Sequence, residues 1–291
     1  MENFVITTEN AADLPESYLQ ENEIGILSLY YTIDGVTYGP GYEPELKAED
    51  FYQRMREGAM PRTQQVNPEQ AVCKFRQYLE QGKDILHIAL TSAVSGSCNS
   101  ARMAAEELKE EFPERTITVV DTLVGTLCEG MVVEQVVRMR KAGKTLAEAA
   151  QWVRENIPHF CLYATVDDLK HLYRGGRVSK TTALFGTAIG IKPILKLNDD
   201  GNLVAVGKVR GRKQSIQDMV NRMEQQIGHF REEKQVIFIS HGDCLEDANY
   251  LAGLVRERFG YDEFLINSVG PTIGSHSGPG TLALFFLGET R

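Results

Sequence analysis

The feature that narrows the fold most is an alternation in the first half of the chain. Short apolar runs rich in β-branched residues, Phe4 to Thr7, Ile24 to Ile33, Ile85 to Thr91 and Ile117 to Asp121, take turns with helix-like stretches at Pro68 to Gln81, Ser97 to Glu111 and Gly125 to Ala142. Strands separated by helices are joined by crossovers rather than hairpins, so this half is expected to form a mainly parallel sheet flanked by helices. Thr145-Leu-Ala-Glu148 has the spacing of a capping box and starts a further helix to about Asn156, which Pro158 closes. Beyond that point the pattern changes. Phe160 to Val166 and Lys192 to Leu197 read as strands, and Asn198-Asp-Asp-Gly201 is a tight turn into Leu203 to Val209, which makes at least one antiparallel hairpin. Helices at about Lys213 to Phe230 and Cys244 to Phe259 flank the runs Gln235 to Ser240 and Glu263 to Val269, with a last β-like run at Thr281 to Leu287. The expectation is an α/β protein of two domains. Residues 1–157 would form the parallel one, and residues 158–291 an α/β domain with a mixed or antiparallel sheet.

Charge and composition exclude several partners. Thirty-one Lys and Arg against forty Asp and Glu leave a net charge of −9, which works against a nonspecific grip on nucleic acid or anionic lipid. No apolar run approaches the ~20 residues of a membrane span, and the N-terminus has no basic or apolar leader, so a cytoplasmic protein is expected. The five cysteines (Cys73, Cys98, Cys128, Cys161, Cys244) are scattered without a C-x-x-C spacing and read as free thiols.

Four segments carry chemistry. At the end of the run Ile85 to Thr91, the stretch Ser92-Ala-Val-Ser95-Gly96-Ser97 leads into a helix and offers hydroxyls and free N–H groups to an anion; alternatively Ser95 or Ser97 simply caps that helix. Gly270 to Gly280 holds four glycines, two prolines, three hydroxyls and His276, a composition expected to form a shaped loop that presents the imidazole. His171 to Lys180 ends a helical turn with Gly175-Gly176, and the following Arg177 either clamps an acid or satisfies the last carbonyls of its helix. Lys208-Val-Arg210-Gly211-Arg212-Lys213 is strongly basic but has no interleaved aromatics, which suits docking of one acidic partner better than nucleic acid.

Several enzyme motifs fail on spacing. Gly143-Lys144-Thr145 lacks the leading glycine of a P-loop, Gly274 to Gly278 places His276 where a nucleophile elbow needs Ser, and no zinc pair or dinucleotide fingerprint occurs.

Taken in order, these segments resemble the DegV family of bacterial fatty-acid-binding proteins over nearly the whole chain. The family's opening T-D-S-x-A-D-L-P is matched by Thr8 to Pro15, its P-x-T-S-Q-P-S-P by Pro61 to Pro68, and its S-S-x-L-S-G-T by Thr91 to Ser97. G-G-R-I-S-K, I-K-P-I-L, K-x-R and G-x-H-x-G-P-G follow as Gly175 to Lys180, Ile191 to Leu195, Lys208 to Arg210 and Gly274 to Gly280. The departures are Glu9 for Asp, Asn10 for Ser, Gln64 for Ser and Val66 for Pro, with Ser97 and Thr122 as milder ones.

The resemblance implies a long-chain fatty acid of the sixteen- to eighteen-carbon class, its carboxylate near the domain junction and its tail in an apolar tunnel. The carboxylate would be met by Thr63, Ser95 with Gly96, and His276, and further by Gln64, Ser97, Arg177 or Ser275. Candidate tunnel residues are Phe160, Leu162, Leu184, Phe185, Ile189, Ile191 and Ile194. The resemblance also implies a separate ATP-binding fatty acid kinase, which phosphorylates the bound carboxylate on the way to phospholipid synthesis. Arg174, Lys208, Arg210 and Arg212 would then serve partner docking. In that reading the chain supplies no catalytic residue, takes no cofactor or metal, binds no nucleic acid and touches membrane surfaces at most transiently. Two alternatives stay open: a phosphotransfer enzyme with His276 as carrier, and a regulatory module gripping nucleic acid through Lys208 to Lys213.

Overall fold

In the computed structural model, residues 4–43, 45–179 and 190–291 are described. The expected parallel sheet is present, in the order β2 (Gly25–Leu27), β1 (Phe4–Glu9), β6 (Asp84–Ala89), β7 (Ile117–Asp121). All three pairings are parallel, and β1 is buried along its whole length, as an interior strand covered on both faces must be. Crossover helices α3 (Pro68–Leu79) and α4 (Ser97–Glu111) pack together on one face. α5 (Leu127–Lys141) lies on the other, followed by α6 (Leu146–Asn156), which starts on the expected capping box between Thr145 and Glu148.

The second sheet is mixed, in the order β10 (Leu203–Arg210), β9 (Ile191–Leu197), β8 (Phe160–Thr165), β13 (Leu282–Leu287), β11 (Ile237–His241), β12 (Phe264–Ser268). Only β11 and β12 run parallel. Its two faces are sorted by the strand period of two. Cys161, Tyr163 and Ile194 point toward α8 (Arg212–Gln226) and α9 (Leu245–Phe259), whereas Leu162, Ala164 and Leu195 share a core with α5. α5 is therefore buried between both sheets: Val132, Val133 and Val136 belong to one cluster with Phe4 and Leu86 of the first sheet and Phe160 and Phe285 of the second. Each such side chain contributes about 1.5–3 kcal/mol of burial, so this helix couples the two sheets.

Two expectations need correction. The run Ile24 to Ile33 is two strands, because the Asn10 side chain accepts from Leu29 N (2.8 Å) and donates to Leu29 O (3.0 Å), which turns the chain between them. The second piece, β3 (Tyr30–Ile33), pairs antiparallel with β4 (Val36–Tyr38) and β5 (Arg62–Gln64) in a small third sheet packed on Phe51 and Tyr52 of α2 (Ala48–Arg56). The Gly270 to Gly280 segment, expected to be all loop, contains a short helix, α10 (Pro271–Ser277). Pro271 fills its first position, where a missing N–H costs nothing, and Gly278 at φ 81° ends it. Gly274 is tolerated mid-helix because a Cβ there would stand 2.5 Å from the Tyr52 hydroxyl, so only glycine lets α10 lie against α2.

Candidate functional site

Between the loops at the carboxyl ends of β6 and β7 and the second sheet lies a cavity of about 460 Å³, in the range of small-molecule sites. Strand register orders its walls. Along β8 the lining runs from Ala164 to Leu162, preceded by Val166 just beyond the strand; opposite them on β9 stand Leu195, which pairs with Ala164, and then Leu197, which pairs with Leu203 of β10. These are apolar residues on one face. At the Val166 end the lining becomes polar: Thr63, Gln64, Gln65, Ser95, Arg177, His276 and Ser277.

Thr63 sits on β5, and its Oγ1 lies 2.8 Å from His276 Nε2 in the last turn of α10. Residues 213 positions apart in the chain thus form one pair. The imidazole rests on the Gly175 backbone, where a Cβ would come within 2.2 Å of Nδ1. Burial, with the nearby charges of Arg177 and Arg174, pushes His276 down to about 4, so the ring is neutral at pH 7. Arg177 is half-buried and donates through Nε to Val94 O (3.1 Å) and through Nη1 to Gly175 O. It holds the Ser95 loop and the His276 platform together while leaving positive charge beside the site.

Ser95 lines the cavity, its Oγ 3.0 Å from Ser97 Oγ. Ser97 itself is fully buried and accepts from Val66 N (3.1 Å), so it braces the loop instead of facing the cavity. Val66, a departure from the family pattern, supplies an N–H that proline lacks. Gly96 does not present a free amide, since its N–H goes to Gln65 Oε1 (3.1 Å). Ser275 is turned away from the cavity and donates to Pro271 O within its own helix. Ser277, which sequence reasoning passed over, lines the cavity with a buried hydroxyl that has no partner among the described residues. Its place as the variable residue of H-x-G-P-G, adjacent to His276, was the available signal.

Of the tunnel candidates, Leu162 lines the cavity. Phe160 shares its face but lies beyond the end, edge-on to Trp152; Ile194 points to the opposite face of the sheet; Ile191 precedes the lining part of β9. Leu184, Phe185 and Ile189 lie outside the described residues, as does Lys180. The missed wall comes from the first half: Leu90, Val94, Gly125 and Thr126 at the carboxyl ends of β6 and β7 and the loops that follow. Thr126 also donates to Asp13 Oδ2 (2.6 Å), and Asp13 Oδ1 accepts from Gly270 N (2.9 Å) at the foot of α10. Burial raises Asp13 to about 7 against these two hydrogen bonds.

Arg174, Lys208 and Arg210 are exposed, but Arg212 is not. It turns inward to Asp247 (2.8 Å) and Asp167 (3.9 Å), with 19% of its side chain exposed. No helix among the described residues is long and apolar enough to cross a membrane.

The sequence profile of the DegV family of uncharacterised proteins matches residues 3–289. A DegV domain-containing protein of Clostridium perfringens is 44% identical over the whole chain and 99% of its own length. Among solved structures, a DegV family protein from Thermus thermophilus, described by its fatty acid binding, superposes with a TM-score of 0.86 at 27% identity, covering 98% of this chain and 99% of that one. A Thermotoga maritima protein described as revealing fatty acid binding function gives 0.85 at 26% identity, with 99% and 100% covered.

Proposed function

Because the chain belongs to the DegV family, we propose that it binds a long-chain fatty acid, with the carboxylate among Thr63, Ser95 and His276 and the tail along Leu162, Leu195 and Leu197. The observation that carries this reading is the neutral His276–Thr63 pair at the polar end of an otherwise apolar cavity. With Nε2–H donating to Thr63 Oγ1, the Thr63 and Ser95 hydroxyls remain to bond the two carboxylate oxygens. Arg177 adds a positive field without a direct charge pair, so the carboxylate stays ionised. Burying about 14 methylenes at ~0.8 kcal/mol each gives roughly 11 kcal/mol, so the tail supplies most of the affinity and the head group fixes the register. The fatty-acid-binding relatives from Thermus and Thermotoga support the same ligand class.

In this reading residues 1–157 and 158–291 act as two domains with the acid at their junction, and the chain is a cytoplasmic carrier without catalytic residues. A separate ATP-binding kinase would take the carboxylate to an acyl phosphate, docking on the exposed cations Arg174, Lys208 and Arg210. Charge reversal at Arg174 and Arg210 should then abolish acyl-phosphate formation while acid retention stays normal; loss of the lipid with full kinase support after resupply would refute the docking role. The ligand itself is tested by mass spectrometry of lipid extracted from the purified protein. A near-stoichiometric fatty acid is expected, and repeated extraction of none, with no rise in Tm on adding oleate or palmitate, would refute the reading.

A further inference from the structure

The β9–β10 hairpin borders one end of the cavity. Leu197 and Leu203 are the last lining pair before the turn at residues 198–201, and Thr91 and Gly125 face them from the first half. Between turn and first half, the Thr91 hydroxyl makes a single long bond to Gly201 O (3.3 Å). Gly201 also packs directly on Thr91 and Leu123, and among the described residues Arg291 adds a further polar link. Its guanidinium donates to Asp199 O in the turn (3.0 Å) and to Leu123 O in the segment before α5 (3.1 Å), and its own N–H is anchored to Pro158 O (2.9 Å) at the start of β8. The residue is 9% exposed, Nε has no acceptor, and burial lowers its pKa. A cation held in that way costs stability, so its retention points to a task other than stability.

We infer that Arg291 is a positioning residue that clamps the β9–β10 turn onto the Leu123 segment, closes the tail end of the cavity and thereby sets the longest acyl chain the protein accepts. The inference rests on the fatty-acid reading above and adds a determinant of chain length to it. Arg291 touches no lining atom of the head-group site, so its effect falls on length and not on carboxylate recognition.

The test offers delipidated protein an equimolar mixture of saturated acids from short to very long chains, and measures the retained acids by mass spectrometry. Wild type should retain a narrow length range. Arg291→Gln, which can bond one carbonyl but not two, should broaden the profile toward acids at least two carbons longer, and Arg291→Lys, a milder change that keeps the charge, should fall between. A Thr63→Ala control should lower uptake of every length without moving the profile. Uptake by folded Arg291→Lys and Arg291→Gln with the wild-type length profile overturns the inference alone. A wild-type protein that takes up no acid of any length overturns it together with the reading on which it rests.

Discussion

Two histidines in this molecule make the same local contact and have opposite surroundings. His87 in β6 lies 3.0 Å from Thr7 Oγ1, and His276 lies 2.8 Å from Thr63 Oγ1. His87 is fully buried in the parallel sheet, edge-on to Phe75, with Nε2 3.5 Å from Glu9 Oε1. Glu9 in turn accepts from Leu90 N (3.0 Å), and beside it stands Glu129, whose carboxyl is held well above the usual range by burial and by the Glu9 charge. Thr8 Oγ1 sits 2.6 Å from Glu129 Oε1 and 2.8 Å from Ile88 O, and one hydroxyl proton cannot serve both. A protonated Glu129 resolves that count. The space beside His87 is thus filled by the protein's own acids, and through Leu90 N this group fixes the strand end from which the Ser95 loop departs. Among the described residues His276 has no carboxylate beside it, and it has two arginines near it and a cavity in front of it. The difference teaches that a buried His–Thr pair is scaffold when acids of the protein complete it, and a binding site when the acid must come from outside.

The largest expected effect breaks the scaffold member. His87→Ala removes a fully buried ring and leaves Glu9 with one partner fewer, so stability should fall by about 3 kcal/mol or more, read from denaturant melts. The same change at His276 should leave the melt of the delipidated protein nearly unchanged. Comparable losses at both positions would erase the distinction. Next in size is the binding defect itself. Thr63→Ala removes one hydrogen bond to a charged group, about 1.5–3 kcal/mol, and His276→Ala removes the ring that orients that hydroxyl, so affinity for a fluorescent fatty acid should drop roughly 10- to 100-fold in titrations, with the fold intact. Unchanged affinity would place the carboxylate elsewhere.

A smaller effect tests the platform instead of the ring. Gly175→Ala adds no charge and deletes no donor, yet its Cβ would collide with His276 Nδ1 and displace the imidazole from Thr63. About tenfold weaker acid binding is expected, corresponding to ~1.4 kcal/mol. Wild-type affinity in this variant would show that the ring need not hold its observed position.

Sequence periodicity carried most of the fold, because β1, β6, β7 and α3 to α6 bury one face or both and their apolar spacing records it. The small third sheet was not legible: its strands span three or four residues each, too short to show a period, and its register depends on Asn10 gripping Leu29. The site was half legible. Thr63, Ser95 and His276 stand in motifs with Gly and Pro around them, and these also converge in space. The cavity wall was misread at Phe160 and Ile194, since an apolar residue in a buried strand looks the same whether it faces a tunnel or a core. Only the pairing of β8 with β9 decides that, and it selects Leu195 over Ile194. Arg212 was misread for the converse reason: a basic run looks exposed until Asp167 and Asp247 arrive from other elements.

The last effect, nearly cancelled in wild type because two groups oppose, concerns pH and sharpens the comparison most. His276 titrates near 4 in the fold against an ordinary 6.5, so between those values the unfolded chain binds more protons than the folded one, and this group makes stability rise with pH. Asp13, beside the cavity through Thr126, titrates near 7 against an ordinary 3.8, so across nearly the same window the folded chain binds more protons and this group makes stability fall with pH. Each slope is at most about 1.4 kcal/mol per pH unit, and the two oppose. Glu129 adds to the fall in every variant, so differences from wild type are the quantity to read. Denaturant melts of delipidated protein should show His276→Ala losing stability relative to wild type as pH rises through the window, and Asp13→Asn gaining it. Curves for both variants that run parallel to wild type would mean that neither group is held in its strained protonation state.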